Sequence, residues 1–224
     1  NSTVNVNDSY YDNSTPDVAT ILTPTYPCTQ SNLSSIHNSY NSWIHYDPVL
    51  GGFESAADLV VDSLEDFELT QIKANISAYS YNFAQVQVTS ATLNYYTNNY
   101  GLPGTLIGTE TVIPSSQILL GSTGATGGNT NGYIFELTLD VTPFTFFGTN
   151  TGDTTYWIGI TNVTTIPSNN GAGSGYQVQV YWNAGGAPAG NYGRCNNYMT
   201  GNFPLWGSHN SSDYHYEFIG NCTT

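Results

Sequence analysis

Basic residues are almost absent from this sequence of 224 residues. It contains two, Lys73 and Arg194, against sixteen Asp and Glu. The formal net charge of −14 at pH 7 repels phosphate groups, and two cations cannot neutralise a run of them. Nucleic acid and anionic membrane surfaces are therefore set aside as partners. Only 8% of the residues are charged, against a usual share of about 25%, so the surface must consist mainly of neutral polar side chains.

Long apolar runs are also missing. Those present are as short as Leu59-Val60-Val61, whereas a membrane-spanning helix needs roughly 20 apolar residues. The sequence therefore predicts no membrane span. It opens with neither Met nor the basic and apolar regions of a signal peptide. We expect that such a peptide has been removed, and that the protein is extracellular or on the cell surface.

The scarcity of cations matters most in acid. Near pH 2 to 3 most carboxylates are protonated, and only two Lys/Arg and four His then remain charged. Such a chain suffers little self-repulsion. The composition fits an acidic external medium, and it fits a secreted protein with a neutral polar surface equally well.

Cysteine is scarce, and its spacing excludes a structural zinc site. Cys28, Cys195 and Cys222 form no CxxC pair and no Cys/His motif. In an exported chain we expect one disulfide. Cys195 to Cys222 is favoured because both lie in the C-terminal region, and Cys28 to Cys222 is the main alternative.

Catalytic motifs are missing as well. The sequence contains no Gly-x-Ser-x-Gly elbow and no His-Glu-x-x-His pair. Asp213, His215 and Glu217 alternate along one strand-like run, but alternate polar residues are the ordinary solvent face of a sandwich strand. We predict no catalytic residue, no metal and no cofactor, and no enzymatic activity.

The sequence does contain many strand-like runs. In Tyr133–Val141 the residues Tyr133, Phe135, Leu137, Leu139 and Val141 alternate with polar ones. Similar runs cover 176–182 and 213–219, and further strands are expected at 56–62, 83–97, 105–113 and 155–163. Between 66 and 79 the apolar phase changes from odd to even positions, which predicts a β-bulge near Thr70-Gln71.

Turn signals separate these runs, and no segment has a useful helical period. With 39% hydrophobic residues, 18 Tyr, 9 Phe and 4 Trp, the chain can fill a sizeable core. We predict an all-β fold: a single β-sandwich, jelly-roll-like, over residues 26–224, with an extended N-terminal tail over 1–25.

Asn-X-Ser/Thr sequons are numerous and are expected in loops, in the tail or at outward strand positions, where N-glycans are tolerated. They begin at Asn1, Asn7, Asn13, Asn32, Asn75, Asn162, Asn210 and Asn221. Asn75 in particular is expected on the outward face of its strand, in the series Lys73, Asn75, Ser77.

The segments Gly-Phe-Glu-Ser-Ala-Ala-Asp-Leu-Val-Val (52–61), Phe-Glu-Leu-Thr-Gln-Ile (67–72) and Tyr-Thr-Asn-Asn-Tyr-Gly-Leu-Pro-Gly-Thr (96–105) resemble secreted β-sandwich modules. Those modules carry an Ala-Asp-Asp-Phe segment before the first core strand and a later Asn-Gly-Gly-Leu-Pro-Gly turn. This sequence departs from them at Leu59, which stands in place of the second acid and the aromatic residue. Such modules occur on adhesins, enzymes and surface proteins, so the resemblance implies the fold and no particular activity.

The Thr/Asn/Ser/Tyr-rich surface, the sequons and the N-terminal tail are together similar to the subunits of archaeal thread-type surface filaments. That resemblance implies assembly by donor-strand complementation, in which a neighbour's N-terminal strand fills an incomplete sandwich. Val4 and Val6 alternate with polar residues, as do Val18 and Leu22, so either segment is a candidate donor strand. The alternative is a tail that is disordered or packed on its own domain.

These features predict a secreted, glycosylated structural protein that forms a filament or surface layer with other copies of itself. The alternative function is a carbohydrate-binding or adhesion module that recognises surface glycans. Its candidate contacts are the loop aromatics Trp43, Tyr46, Tyr100 and Trp206. Their alternative role is packing at the ends of the sandwich.

Overall fold

The computed structural model describes residues 24–33, 41–44, 46–47, 51–80, 86–122, 131–166, 178–183, 191, 193–196, 206–208 and 213–224. These residues form strands and turns, with no helix among them. In particular, none of them forms an apolar helix long enough to cross a membrane.

The described residues form fifteen strands. They are β1 (Thr25–Asn32), β2 (Asn41–Trp43), β3 (Tyr46–Asp47), β4 (Gly51–Gly52), β5 (Glu54–Val61), β6 (Asp66–Ser80), β7 (Gln87–Asn98), β8 (Pro103–Val112), β9 (Ser116–Ser122), β10 (Asn131–Phe147), β11 (Thr154–Ile166), β12 (Val178–Asn183), β13 (Arg194–Asn196), β14 (Trp206–Ser208) and β15 (Tyr216–Thr223).

Two antiparallel sheets make up the sandwich. The first sheet has the order β1-β15-β6-β10-β9, and β12 lies beside β6 with β2 beside β12. The second sheet has the order β14-β13-β5-β11-β7-β8. Strands β3 and β4 form a separate short pair. The predicted all-β sandwich is confirmed.

The core lies between the sheets and follows from the period-two pattern of the strands. In β10, Phe135, Leu137 and Leu139 are buried, whereas Asp140 is exposed. Long strands bury one face along their whole length because successive side chains point to opposite sides. Bulky aromatics are among the largest buried side chains of this core, including Trp182, Tyr214, Tyr216, Phe146 and Phe218.

The change of apolar phase in β6 is produced by the predicted bulge. Ile219 of β15 lies opposite Gln71, and the next residue, Gly220, lies opposite Leu69, so Thr70 is left over. Both Leu69 and Ile72 are consequently buried in the core. The extra residue returns the side chains of β6 to the same face.

The disulfide joins Cys28 to Cys222, with a Cα–Cα distance of 5.8 Å. The favoured prediction of Cys195 to Cys222 is therefore wrong, and its stated alternative is the bond observed. Cys28 lies on β1, which pairs with β15, the strand of Cys222. Cys195 lies on β13 in the other sheet, opposite Ser55. Proximity in sequence misled the prediction because consecutive strands of a sandwich often belong to different sheets.

Candidate functional site

The second sheet leaves two stretches of main chain without a strand on one side, as far as the described residues show. Strand β8 pairs with β7 from Ala91 to Asn98 and does not extend to Val88. At the opposite side of the sheet, β13 pairs with β5 over Glu54–Ala56 only. The N–H and C=O groups along such edges have no strand to pair with, so they need other hydrogen-bond partners where they are buried.

A glutamine from the first sheet supplies the partners at the β7 edge. The Val88 N–H donates to Oε1 of Gln117 at 2.8 Å, and Nε2 of Gln117 donates to the Val86 carbonyl at 2.7 Å. A carboxamide offers one donor group and one acceptor, like a peptide group. The side chain therefore serves the two main-chain groups that one residue of a neighbouring strand would serve.

Gln30 of β1 makes the same arrangement at the β5 edge. Its Nε2 donates to the Asp58 carbonyl at 2.9 Å, and the Val60 N–H donates to its Oε1 at 2.7 Å. The Gln30 amide also lies 3.1 Å from the hydroxyl of Tyr216. We call these two arrangements the Gln117 clip and the Gln30 clip.

A groove of about 720 Å³ runs along the Gln117 clip, between the two sheets. None of the described residues that line it is charged. Its apolar lining consists of Val86, Val88, Pro114, Leu119, Tyr133, Phe135 and Ile166. Leu119 and Ile166 are 57% and 62% exposed, so this flank offers apolar surface that the described residues leave uncovered.

A second groove, of about 530 Å³, lies beside the Gln30 clip. It differs in charge, because Asp62 and Glu65 lie on its wall. The hydroxyl of Tyr26 donates to Oε1 of Glu65 at 2.6 Å. This hydrogen bond to a carboxylate raises the pKa of Tyr26.

The edge next to the Gln117 clip is rich in exposed aliphatic side chains. Strands β8 and β9 are the outermost strands of their sheets among the described residues, and the short segment 113–115 joins them. Six residues there are at least 40% exposed: Leu106, Ile107, Ile113, Ile118, Leu119 and Leu120. Soluble proteins usually protect edge strands with charges, prolines or bulges. Strand β9 contains no charged residue, and its register against β10 shifts at Leu120.

Two buried carboxylates lie on the outer face of the second sheet. Glu54 is 5% exposed and accepts hydrogen bonds at 2.9 Å from Nδ2 of Asn94 and the hydroxyl of Tyr96. Gly159 makes this position possible, because a Cβ there would overlap Oε1 of Glu54. Burial raises the pKa of Glu54, and the two hydrogen bonds oppose the shift.

Asp58 is the second buried carboxylate. Its Oδ2 accepts from the main-chain N–H and the side-chain amide of Asn191, at 2.8 and 2.9 Å. Burial raises the pKa of Asp58, partly offset by these bonds and by the charge of Arg194. The hydrogen-bond donors described for both acids, Asn94, Tyr96 and Asn191, are neutral side-chain or main-chain groups.

The predicted aromatic contacts have different surroundings. Tyr100 is fully exposed at a turn, and Trp206 is half-buried with its ring centroid 5.7 Å from that of Tyr96. Trp43 and Tyr46 lie in β2 and β3, but their side chains lie outside the described residues. No contact joins Tyr100 to Trp206 among those described.

The described sequons differ in accessibility. Asn75 and Asn32 are 3% and 5% exposed, so the expectation of outward, accessible positions is wrong for both. Ser77, which shares the face of Asn75 on β6, is buried as well, and its Oγ donates to Oδ1 of Asn183 on the neighbouring strand β12. Asn162 is exposed, at φ 48° beside a register shift of β11, a conformation that Asn tolerates.

Asn221 is half-buried, and its Nδ2 lies 3.4 Å from Oε1 of Glu68. The remaining sequons and the donor-strand candidates lie outside the described residues. They are Asn1, Asn7, Asn13, Asn210, Val4, Val6, Val18 and Leu22.

Comparisons with protein-family models, with curated proteins and with solved structures each return no match. The two clips, their grooves and the exposed edge are therefore the observations on which a function can be argued.

Proposed function

We propose that this chain is a secreted, glycosylated structural protein, a subunit of an extracellular filament or surface layer that assembles by strand donation. The observation that carries the proposal is the flank at the Gln117 clip. There the edge of β7 is bonded to a side chain and borders a groove whose described lining residues are uncharged and include exposed apolar side chains. An added strand gains main-chain hydrogen bonds from such an edge and pockets for alternate side chains from such a groove.

The donor is the N-terminal segment of a second copy. Residues 1–23 precede the described part of the chain. Val18, Thr20 and Leu22 alternate along this segment, and 18–23 contains no charge. A strand with this pattern presents one row of side chains to the groove. Val4 and Val6 form a second, shorter row of the same kind.

Charge favours the groove at the Gln117 clip over the one at the Gln30 clip. The N-terminal segment carries Asp8, Asp12 and Asp17 and has no basic residue before Lys73. Asp62 and Glu65 on the second groove repel such a segment, whereas the described lining of the first groove carries no charge. Since each subunit gives one strand and receives one, the contact is head-to-tail and propagates as a fibre.

The N-terminal segment can also reach the groove of its own subunit. Strand β1 lies four strands from β9 in the first sheet, a distance of about 19 Å. An extended segment of 23 residues spans up to about 75 Å. The experiment must therefore separate a self-filled monomer from a fibre.

Full-length protein with charged residues in the donor rows provides that experiment. One variant carries Val4→Asp and Val6→Asp, and another carries Val18→Asp and Leu22→Asp. Placing carboxylates against the apolar groove should prevent strand addition. We expect fibres of the unmodified protein in negative-stain electron microscopy and loss of fibres in the variant whose row is the donor.

A matched control places the same charges on the opposite face of the segment. Ala19→Asp and Thr23→Asp have the spacing of positions 18 and 22 but the other orientation in a strand, so this protein should still form fibres. If the unmodified protein is a stable monomer in sedimentation, or if neither donor-row variant loses fibres, strand donation by this segment is wrong.

Binding of neutral glycans is a second candidate function, and Tyr100 is the observation that favours it. Its ring is fully exposed, with φ 53° in the left-handed region. The turn is held by the Gly101 N–H on Oδ1 of Asn98 and by Nε of Arg194 on the Gly101 carbonyl, both at 3.0 Å. An ordered, exposed aromatic ring suits stacking on a sugar. Binding of the full chain to a neutral-glycan array that Tyr100→Ala abolishes would support this function.

A further inference from the structure

We infer that Gln117 is a placeholder for the donated strand. In the unassembled subunit its carboxamide is hydrogen-bonded to the Val86 carbonyl and the Val88 N–H. These two bonds break when the N-terminal segment of a second copy pairs with β7. This inference rests on the proposed strand donation and names the residue with which the incoming strand competes.

The hydrogen-bond pattern of the clip supports this role. The Val86 carbonyl and the Val88 N–H flank Gln87 on one side of β7, where both bond to Gln117. In a parallel pair, one residue of the neighbouring strand bonds to the carbonyl before and the N–H after the residue it faces. The clip satisfies the same two groups with a side chain. Because Val86 and Val88 are 4% and 3% exposed, leaving these groups without a partner would be costly.

The surroundings of Gln117 allow it to leave. Its side chain is half-buried, so the released carboxamide can reach water. Its main chain pairs with β10 opposite Leu137, so β9 keeps its place when the side chain moves. When the donated strand displaces Gln117, two hydrogen bonds to β7 are replaced by two others. The favourable free energy of assembly comes from covering Leu119 and Ile166 with the apolar side chains of the donated strand.

The Gln30 clip makes the same two hydrogen bonds, but its surroundings hold the side chain in place. Gln30 makes a further contact with the hydroxyl of Tyr216, and the disulfide of Cys28 ties its strand to β15 two residues away. Asp62 and Glu65 flank its groove. The Gln30 clip is therefore fixed, and it serves as the matched control for the Gln117 clip.

Variants Gln117→Met and Gln30→Met, made in the full-length chain, test the inference. Methionine keeps the approximate length of the side chain and removes both hydrogen bonds. Hydrogen exchange in unassembled subunits should become at least about tenfold faster at the Val88 amide in Gln117→Met and at the Val60 amide in Gln30→Met. In fibres, the Val88 amide of Gln117→Met should be protected again by the donated strand.

Fibre elongation, followed by light scattering, separates the two clips. Removing the competitor should accelerate elongation of Gln117→Met by about fivefold or more relative to the unmodified protein, while Gln30→Met elongates at the unmodified rate. Equal rates for Gln117→Met and the unmodified protein would overturn the placeholder role and leave strand donation intact. If none of the three proteins forms fibres, strand donation is wrong, and the placeholder role is wrong with it.

The unmodified protein gives a further test that needs no variant to fold. On assembly, the side-chain amide resonances of Gln117 should shift in NMR spectra as the group leaves Val86, and those of Gln30 should not. A Gln117 amide whose resonances are identical in subunit and fibre contradicts the inference.

Discussion

The disulfide between Cys28 and Cys222 should account for a large part of the stability of the sandwich. The two cysteines are 194 residues apart, so the bond closes almost the whole chain into a loop. In the chain-entropy model, closing a loop of this length in the unfolded state contributes about 5 kcal/mol. Domains are typically stable by about 5–15 kcal/mol in total. Replacing both residues, as Cys28→Ser with Cys222→Ser, should therefore remove a third or more of the stability.

Urea unfolding followed by tryptophan fluorescence measures this loss. With an m-value of about 2–3 kcal/mol/M, the midpoint should fall by about 2 M. Cys195→Ser is the matched control and should lower the midpoint far less, because Cys195 takes no part in this disulfide. If the double variant fails to fold, the urea midpoints of the unmodified protein can be compared with and without reductant. An unchanged midpoint after both thiols are shown to be alkylated, or a peptide map that links Cys195 to Cys222, would refute the reasoning.

Glycosylation, acidity and close packing each give a further measurable outcome. Asn162→Gln should lower the intact mass of native protein by one glycan, whereas Asn75→Gln should not, since Asn75 is buried; a glycan found on Asn75 contradicts this. Because burial raises the pKa of Glu54, Glu54 keeps its proton to a higher pH in the folded state than in the unfolded state. The free energy of unfolding therefore falls as the pH rises from the ordinary pKa of Glu to the raised pKa of Glu54, by at most about 1.4 kcal/mol per pH unit. Glu54→Gln should flatten this fall in chemical denaturation, and an identical pH profile contradicts the assignment. Gly220→Ala should destabilise the fold by about 1–3 kcal/mol, since a Cβ there would overlap the Glu68 carbonyl. Gly121→Ala is the control and should leave the melting temperature unchanged, because a Cβ at Gly121 meets nothing within 4 Å. Equal melting temperatures of the two variants in thermal denaturation would contradict the overlap.

The strands were predictable because their information is local. The alternation of Phe135, Leu137 and Leu139 identifies the buried face of β10, and the change of phase around Thr70 locates the bulge in β6. Both features depend only on which neighbouring residues are apolar and on the period of two in a strand.

The features that depend on which strands meet were not predictable in this way. The disulfide of Cys28 requires β1 to lie beside β15, at opposite ends of the sequence. Asn75 has the spacing of an outward residue, yet Asn75 and Ser77 are buried on that face. Gln117 has no sequence signal at all, because its role depends on the β7 edge of the opposite sheet lying within reach of its amide.

The pairing of β1 with β15 also determines how the protein responds to force. The strands are antiparallel, with Thr25 opposite Thr223, so both ends of the described chain leave the sandwich at the same end. Pulling them apart peels the pair open one hydrogen bond at a time, the weakest loading direction for a sheet. The covalent bond at Cys28 stops this peeling after three residues and passes the tension to β15, which β6 holds on its other side. A protein pulled by these two ends would therefore resist extension until the covalent bond or the pair of β15 with β6 is loaded.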